Sequence, residues 1–460
     1  MSAPTCNISA QRPAKRKMTD PTGRKSDKVF ELKRAQTAWC LYDWANSAFA
    51  TVILAAVLPV YFATLVPEGG GEISLFGWEH RLPATALWGY TISLSMLFVA
   101  LSAPYLGAWA DSRRNRKRAL LVSCLIGALA TALLALADDN RYLLAAGLFI
   151  IANIGFATGN IYYNSFLPAL AERDELDRLS AKGFAFGYIG GGVALLLSFL
   201  IIEQYQILAF PDRGAATLFS FILTGCWWLG FAIPAFRRIQ EDIFIHRPQP
   251  MQHGLRSYFK TFTRIMHYPH LFRFLLAFLF YNDGIQTIIA VSALFASAEL
   301  GLSQTSVLGC YLMIQFIAMP GALVFAKLSA KIGAKNAIIC SIGMFIGVTV
   351  YAFYMDTAVE FWILGFVVAL ILGGSQAISR SMFAAMIPPG ESAEFFGFYA
   401  VSGKFASIFG PLVFAVIADI TGSARLSILA LSGFFIVGLI LLATVDVKSG
   451  ICQAEKQKTG

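Results

Sequence analysis

The sequence predicts an all-α, polytopic membrane protein, and three observations carry that prediction. Of the 460 residues, 57% are hydrophobic and only 14% are charged, whereas soluble globular domains carry about 25% charged residues. The mean hydropathy is +0.64. The apolar residues form twelve runs, each long enough to cross about 30 Å of hydrocarbon as a helix. Most of the surface therefore meets lipid, which excludes a cytosolic enzyme, a fibrous protein and a disordered chain.

Six of the apolar runs lie in each half of the chain. In the first half they cover 38–65, 86–109, 119–137, 143–169, 184–202 and 217–236. In the second half they cover 272–296, 307–325, 337–355, 361–387, 395–417 and 427–445. The longest predicted cytoplasmic connection separates the halves. We therefore predict a basic tail at 1–36, a six-helix bundle at 37–236, a linker at 237–270, a second six-helix bundle at 271–445 and a tail at 446–460.

The distribution of Lys and Arg predicts the orientation. With the N-terminus in the cytoplasm, 30 of the 36 Lys and Arg fall in cytoplasmic segments, four fall on the opposite side, and Arg380 and Lys404 lie inside spans. Because cytoplasmic loops are enriched in basic residues, both termini are predicted to be cytoplasmic. The net charge of +9 then reflects orientation, and no nucleic-acid partner is expected. Residues 68–72, with three consecutive glycines, are predicted to form a mobile exterior loop.

The two halves resemble each other at corresponding spans, as expected for a transporter fold built from internal repeats. Span 1 contains Tyr-Asp-Trp-Ala-Asn at 42–46, and span 7 contains Tyr-Asn-Asp at 281–283. A shift of 216 residues superimposes span 4 on span 10. It aligns Asn160 with Gln376, Asn164 with Arg380, and Ser165 with Ser381.

The loop after span 2 is similar to a signature of the major facilitator superfamily. It reads Gly-Ala-Trp-Ala-Asp-Ser-Arg-Arg-Asn-Arg-Lys-Arg at 107–118 and resembles the G-x-x-x-D-[RK]-x-G-R-[RK] loop, from which Ser112 and Asn115 depart. In that superfamily the glycine permits close helix approach, and the acid caps a helix or pairs with an arginine. The resemblance implies a gating loop; a basic connecting loop is the alternative. The gating residues would be Gly107, Asp111, Arg113 and Arg116.

Three further stretches resemble the vacuole-effluxer-like branch of this superfamily, whose eukaryotic members are autophagy-related vacuolar amino-acid exporters. They are Tyr-Asp-Trp-Ala-Asn-Ser-Ala-Phe at 42–49, Gly-Gly-Ser-Gln-Ala-Ile-Ser-Arg-Ser at 373–381, and Glu-Phe-Phe-Gly-Phe-Tyr at 394–399. The resemblance implies the major facilitator fold, with two pseudo-symmetric six-helix bundles, and a secondary transporter that exports neutral amino acids. We expect a monomer in a bacterial inner membrane, since the loops are short; a vacuolar membrane suits the resemblance equally.

The polar residues inside the spans are the candidate site. A charge at the centre of a membrane helix costs about 2.5–3.5 kcal/mol on insertion scales, so it is expected to face a cavity or a partner. Spacings of three or four residues place paired polar side chains on common helix faces. We expect spans 1, 4, 7 and 10 to turn these faces towards a central cavity that binds substrate or ion. The residues are Asp43 with Asn46, Asn160 with Asn164, Asp283 with Gln286, Gln376 with Arg380, and Lys404 of span 11.

Three roles remain open for the two intramembrane bases, Arg380 and Lys404. They are a gate salt bridge to Asp43 or Asp283, a contact with substrate, and structural pairing without gating. A zwitterionic amino acid has a carboxylate that suits Arg380 and an ammonium that suits Asp283. Because Asp43 and Asp283 are the acids well inside the spans, proton coupling is expected to use one of them.

Several other functions lack their sequence signatures. All five histidines lie in connecting segments and no Cys-x-x-Cys occurs, so neither a metal site nor a cofactor is expected. The chain has no G-x-S-x-G and no G-x-x-x-x-G-K-[ST], which argues against a hydrolase and an ATP-driven pump. The internal repeat and the family resemblance together imply a secondary active transporter of a small solute by alternating access, for amino-acid efflux or proton-coupled transport. The alternative is a flippase or exporter of lysolipids or other amphiphiles.

Overall fold

The computed structural model describes residues 24–67, 70–75, 78–82, 87–88, 91–92, 94–99, 101–102, 106, 115–138, 140–172, 175–240, 262–302, 304–388, 391–421 and 423–456. Within these ranges the chain is almost entirely helical, and nine helices are long and apolar enough to cross a membrane. Two further long helices, Pro269–Ala298 and Ser392–Thr421, coincide with predicted spans 7 and 11. Predicted span 2, at 86–109, is described only in short pieces, at 87–88, 91–92, 94–99, 101–102 and 106, and these residues are helical.

The first half of the chain begins with a span that changes its helical form. α1 (Arg24–Ala48) continues as a π-helix (Phe49–Ala56) and then as α2 (Val57–Leu65). The elements that follow are β1 (Gly71–Leu75), β2 (Trp78–Leu82), α3 (Arg116–Leu133) with a 3-10 turn (Leu134–Leu136), α4 (Tyr142–Ser165), α5 (Leu167–Leu170), α6 (Leu176–Glu203) and α7 (Arg213–Arg238).

The second half repeats the succession of long helices. A short helix at 262–266 precedes it. The elements are α8 (Pro269–Ala298), α9 (Gln304–Ile332), α10 (Ala334–Tyr354), α11 (Ala358–Met386), α12 (Ser392–Thr421), α13 (Ala424–Ala430), α14 (Ser432–Ala443) and α15 (Val447–Lys456).

The segment 71–82 corrects a prediction made from the sequence. Residues 68–72 were predicted to form a mobile loop, but the last two of them begin β1, which forms an antiparallel hairpin with 78–82, in which Glu72 lies opposite Arg81. Opposite charges across a ladder stabilise the pairing, and the hydroxyl of Tyr142 donates to the backbone carbonyl of Glu72 at 2.9 Å. The prediction rested on the glycines and overlooked the alternation of apolar and polar residues that follows them.

Small residues set the close packing between helices. In lipid no hydrophobic force draws helices together, so close approach of backbones contributes much of the association. A Cβ added at Gly155 of α4 would lie 2.7 Å from the backbone of Gly127 in α3, and one added at Gly321 of α9 would lie 2.4 Å from the carbonyl oxygen of Leu370 in α11. These helices therefore pack only because the two positions lack side chains.

Corresponding residues make corresponding contacts in the two halves. Tyr42 of α1 stacks on Tyr163 of α4, with ring centroids 5.3 Å apart. The shift of 216 relates Tyr163 to Ser379 of α11, and the hydroxyl of Tyr281 in α8 lies 2.6 Å from that serine oxygen. The internal similarity of the sequence therefore corresponds to equivalent helix pairs.

The two halves meet along α6 and α9. We call the end of the bundle where α1 begins, and where α15 packs against α8 and α11, the proximal end. The opposite end, which carries the β-hairpin, is the distal end. Near the proximal end, Ser329 of α9 donates a hydrogen bond to Asp177 of α6; farther along, a Cβ added at Gly192 would lie 3.3 Å from the Cβ of Gln315. The contact between halves thus extends over about four helical turns.

Candidate functional site

An ion pair between Arg380 of α11 and Asp43 of α1 joins the two halves inside the bundle. The Nη1 atom of Arg380 lies 3.6 Å from Oδ2 of Asp43, and the two side chains retain only 5% and 12% of their exposure. Tyr163 of α4 donates its hydroxyl to the same carboxylate oxygen at 3.1 Å. Because buried pairs are screened much less than exposed ones, this contact ties α1 to α11.

All three nitrogen atoms of the Arg380 guanidinium donate hydrogen bonds to the first half. Nε donates to the hydroxyl of Ser180 at 2.9 Å, and Nη2 donates to its backbone carbonyl at 2.7 Å. Nη1 donates to Oδ1 of Asn164 at 3.2 Å. A guanidinium presents its donors in a rigid planar fork, so this arrangement fixes both the depth and the rotation of α11 against α4 and α6.

Aromatic rings enclose the same guanidinium. Its central carbon lies 4.1 Å from the ring centroid of Phe184, 5.0 Å from that of Trp39 and 5.7 Å from that of Tyr163. Trp39 and Tyr163 stack with centroids 4.4 Å apart, and the indole N–H of Trp39 donates to the backbone carbonyl of Tyr163 at 2.9 Å. Cation–π attraction is strongest where the cation is desolvated, so the rings stabilise the charge without admitting water.

Two glycines of α6 let the other helices reach this cluster. A Cβ added at Gly183 would lie 2.7 Å from the Trp39 ring and 3.0 Å from Nη2 of Arg380. A Cβ added at Gly187 would lie 2.7 Å from the hydroxyl oxygen of Ser47. The ion pair therefore depends on the absence of side chains at both positions.

A second polar contact between the halves lies closer to the proximal end. Asp177 at the start of α6 accepts hydrogen bonds from Ser329 of α9 and from Ser381 of α11. Ser180 also donates to the backbone carbonyl of Ala377 at 2.7 Å. The halves are thus joined by two successive polar layers.

A cavity of about 240 Å³ lies on the distal side of the ion pair. Its walls come from α8, α9, α10, α11 and α13, with Tyr188 of α6 and Ala55 of the first span from the other half. Gln376 lies at its boundary, one helical turn from Arg380. Its polar lining residues are Tyr188, Gln286, Ser292, Tyr311, Gln315, Thr349 and Gln376, and none of the described lining residues is charged.

The structure gathers part of the predicted set around these two features. Asn164, Asp43 and Arg380 form the ion-pair cluster. Asn46 donates to Asn160 at 2.7 Å within the first half. Gln286 and Gln376 line the cavity, where Gln376 accepts a hydrogen bond from the hydroxyl of Tyr188 at 3.2 Å.

Asp283 lies apart from the ion pair. It is fully buried, and its Oδ1 accepts the backbone N–H of Gly410 in α12 at 2.9 Å. Within the described part of the chain, its Oδ2 and the hydroxyl of Thr287 have no hydrogen-bond partner. Asp283 and Gln286 were predicted to share one cavity face; the structure instead places Asp283 against α12 while Gln286 lines the cavity. Arg380 and Asp283, which were predicted to bind the two ends of one zwitterion, therefore make separate contacts, with Asp43 and with Gly410.

The remaining predicted residues are described only in part. Lys404 lies in α12, but its side chain is outside the described residues, as are Gly107, Asp111 and Arg113. Arg116 begins α3, where its side chain is buried, with 4% exposure.

Sequence reasoning missed several residues of the ion-pair cluster. Span 5 was predicted to begin at residue 184, whereas α6 begins at Leu176, so Asp177 and Ser180 were assigned to a connecting segment. Their spacing of three residues, which places both on one helix face, was the available signal. Trp39 and Phe184 lie within predicted spans 1 and 5, and nothing in their local sequence distinguishes them from other apolar span residues.

The arrangement of two helical halves is similar to that of solved membrane proteins, and these define the class of its fold. The structure of FucP in an outward conformation, described as a major facilitator superfamily transporter, has a TM-score of 0.67 at 13% identity and covers 91% of this chain and 99% of its own. A bacterial homologue of ferroportin has a TM-score of 0.65 at 13% identity, covering 90% of this chain and 98% of that one. These likenesses confirm the predicted fold class.

The family follows from sequence similarity. The chain belongs to the family described as vacuole effluxer Atg22 like, whose profile matches residues 31–455. An uncharacterized MFS-type transporter of Bacillus subtilis, YxiO, is 34% identical over 92% of this chain and 97% of its own length. Autophagy-related protein 22-1 of Penicillium rubens is 24% identical over 91% of this chain and 90% of its own. The resemblance inferred from the sequence is therefore confirmed, and the chain is an MFS-type, multi-pass membrane transporter.

Proposed function

We propose that this protein is a secondary active transporter that carries a small solute by alternating access. The observation that supports it best is the Arg380–Asp43 ion pair, which joins the halves inside the bundle, between the cavity and the proximal end. In transporters of this kind the two repeats rock against each other around a central site. The described state is closed at its proximal end, and the opposite state requires α1 and α11 to separate there.

The chemistry of the ion pair suits a contact that is made and broken in every cycle. Removing two charges from water is costly, and their mutual attraction offsets this cost only when further hydrogen bonds are present. Here Asn164, Ser180 and Tyr163 supply those bonds. When the proximal end opens, water solvates both charges. The paired and solvated states therefore lie close in free energy, which is what a reversible gate requires.

The direction and the solute are part of the same proposal. The excess of Lys and Arg at the proximal end supports a cytoplasmic location for that end and for both termini. The description of the family as effluxers supports export, and the resemblance to amino-acid exporters supports neutral amino acids as the solute. We place the protein in a bacterial inner membrane or a vacuolar membrane, with Asp283 as the residue that carries a coupling proton.

A second function is favoured by the lining of the cavity. None of its described residues is charged and most are apolar. Such walls suit a lysolipid or another amphiphile whose apolar part enters the bundle. The second candidate is therefore a flippase or exporter of amphiphiles on the same fold.

Uptake into proteoliposomes tests both candidates. Labelled neutral amino acids are added to vesicles containing the purified protein, with and without an imposed pH gradient, and to protein-free vesicles. We expect saturable uptake that an unlabelled amino acid competes away and that the gradient drives. Uptake no greater than in protein-free vesicles contradicts the amino-acid proposal; movement of a labelled lysolipid in the same vesicles then supports the second candidate.

A further inference from the structure

We infer that Thr287 of α8 and the Gly410–Pro411 step of α12 are positioning residues, which hold the carboxyl group of Asp283 and transmit its protonation to the gate. This inference rests on the proposed transport function, in which Asp283 carries the coupling proton, and it names the part of the fold on which the proton acts. The contact between α8 and α12 is the link between the coupling acid and the ion pair that joins the halves.

A hydrogen bond from the backbone of α12 reaches the coupling acid. The N–H of Gly410 donates to Oδ1 of Asp283 at 2.9 Å, and this acid is fully buried. In an uninterrupted α-helix such an N–H donates to the carbonyl oxygen four residues earlier. An ionised carboxylate accepts a backbone N–H more strongly than a neutral acceptor does. The bond is therefore strongest while Asp283 is ionised, and a proton weakens it.

The residue after Gly410 makes α12 easier to bend at the same point. Pro411 has no N–H, so the carbonyl oxygen of Ser407 lacks the hydrogen bond that continues a helix, and helices bend at prolines for this reason. A Cβ added at Gly410 would lie 1.9 Å from the hydroxyl oxygen of Thr287 and 2.6 Å from Oδ1 of Asp283. Thus α8 contacts α12 at the step where α12 bends most easily, and a glycine is needed for that contact.

Thr287 lies one helical turn after Asp283 and faces the same step of α12. Its side chain is fully buried, and neither its hydroxyl oxygen nor Oδ2 of Asp283 has a hydrogen-bond partner among the described residues. A hydroxyl can donate to an ionised carboxylate and accept from a protonated one, and a buried polar group without a partner is costly. Thr287 is therefore suited to hold the carboxyl group in both protonation states.

Close packing fixes the other side of α8. A Cβ added at Gly284 would lie 2.7 Å from the ring of Phe435 in α14, and one added at Gly438 of α14 would lie 2.9 Å from the Cβ of Tyr281. Phe435 also stacks on Phe345 of α10, with ring centroids 5.3 Å apart. Because interiors packed this closely resist displacement, a change at the acid is accommodated on the α12 side.

Aromatic rings connect α12 to the helix that carries the gate arginine. Tyr399 of α12 stacks on Phe383 of α11, with centroids 4.8 Å apart, and on Phe278 of α8, with centroids 4.3 Å apart. Phe396 of α12 meets the edge of Phe383 at 5.2 Å. Phe383 lies three residues after Arg380, on the same side of α11. A movement of the proximal part of α12 therefore displaces α11 and weakens the ion pair.

The other titratable groups around Asp283 are uncharged or already paired. In the central parts of the packed helices they are Tyr281 of α8, Cys310 and Tyr311 of α9, Arg380 of α11, and Tyr399 and Lys404 of α12, whereas α14 has none. The thiol and the phenols are uncharged at neutral pH, and Arg380 pairs with Asp43. The side chain of Lys404 lies outside the described residues. A pH-dependent movement of α12 is therefore assigned to Asp283, and Asp283→Asn checks that assignment.

The distance between two spin labels at the proximal end measures the opening of the gate without any solute. The labels are attached to cysteines introduced at Thr37 of α1 and Asn336 of α10, which are exposed positions on opposite halves, after the native cysteines have been replaced by alanine. The full-length protein is measured in lipid nanodiscs over a series of acidic to mildly alkaline buffers. We expect the labels to move apart as the pH falls, and Asp283→Asn to abolish this response. A distance that does not depend on pH before Asp283 is replaced overturns the inference.

Two further substitutions separate the link from a merely structural contact. Pro411→Ala restores the missing N–H and stiffens α12, so the pH-dependent opening should decrease about fivefold. Thr287→Val keeps the shape of the side chain but removes the hydroxyl, and should shift the midpoint of the pH profile by about one unit; Thr287→Ser should restore it. The matched control is Pro234→Ala, which makes the same change inside α7 of the other half and should alter neither. An unchanged response to pH in Pro411→Ala and Thr287→Val contradicts the inference.

Uptake measured in parallel separates this inference from the proposed function. If the labels respond to pH as expected but no solute enters proteoliposomes, the link between Asp283 and the gate stands and the proposed transport function fails. If uptake is driven by a pH gradient but is equally fast in Pro411→Ala and Thr287→Val, the transport function stands and the link through α12 fails.

Discussion

Asp43 and Asp283 are both carboxylates within spans, yet the fold surrounds them differently. Asp43 pairs with a cation from the opposite half and accepts a hydrogen bond from Tyr163. Asp283 is bound by a backbone N–H of its own half, and its second oxygen has no hydrogen-bond partner among the described residues. The contact of Asp43 with Arg380 depends on how the two halves are arranged, and the described partner of Asp283 does not.

This difference favours a different role for each acid. From the sequence alone, either Asp43 or Asp283 could form the gate salt bridge or carry the coupling proton. The ion pair of Asp43 with Arg380 joins the two halves. It therefore opposes their separation and is broken when they separate. A buried carboxylate without a described counter-ion is costly, and a proton neutralises it without any movement of the halves. We therefore propose that Asp43 and Arg380 form the gate and that Asp283 carries the coupling proton.

Removal of the cation should have the largest effect. In Arg380→Gln the carboxylate of Asp43 remains buried without its partner, and breaking a buried pair in this way costs about 3–5 kcal/mol. We expect a clearly lower thermal unfolding temperature of the purified protein and uptake in proteoliposomes near the protein-free level. Arg380→Lys should restore little, because an ammonium cannot reproduce the planar fork.

Arg425 provides the matched control at the distal end. It pairs with Glu299 and Asp356, but its side chain retains 25% exposure and that of Asp356 retains 76%. Partly exposed pairs contribute about 0–1 kcal/mol, so Arg425→Gln should leave uptake and the unfolding temperature nearly unchanged. Equal losses in both variants would show that the position of the ion pair between the halves is unimportant, and would contradict the gate.

Replacement of Asp283 should impair proton-coupled uptake without impairing stability or solute exchange. Asp283→Asn keeps an oxygen that can accept the Gly410 amide but removes the group that binds a proton. We expect a normal unfolding temperature, loss of uptake driven by an imposed pH gradient, and retained exchange of labelled for unlabelled solute at equal pH. Full gradient-driven uptake in this variant would remove Asp283 from coupling. Asp43→Asn, in contrast, should impair both uptake and exchange.

The sequence predicted the spans far better than the site. Apolar runs of the required length are a local property, and eleven of the twelve predicted spans coincide with described helices, namely the nine apolar spans together with α8 and α12. The internal repeat also aligned Asn164 with Arg380, and these two side chains are hydrogen-bonded. Residues that occupy equivalent positions in the two halves thus meet between them.

What the sequence could not predict depends on the rotation of each helix. Asp283 and Gln286 are three residues apart, and a small rotation of α8 decides which of them meets the cavity and which meets α12. The apolar spans carry no pattern that determines this rotation, because lipid-facing and buried surfaces are equally hydrophobic. Trp39 was missed for the same reason, since its contact with Arg380 exists only after α1, α4 and α11 have packed.

Replacement of a glycine in α6 by alanine should have the smallest effect on uptake and stability. Gly183→Ala places a methyl group 2.7 Å from Trp39 and 3.0 Å from Nη2 of Arg380. Overpacking of this kind costs about 1–3 kcal/mol, so we expect a moderately lower unfolding temperature and several-fold slower uptake. Gly147 of α4 has no neighbour within 4 Å of the added Cβ, so Gly147→Ala should leave uptake unchanged and stabilise the helix by about 0.5–1 kcal/mol. If Gly183→Ala transports as fast as Gly147→Ala, the ion pair tolerates displacement of its surrounding rings, and the close fit of α6 is not part of the gate.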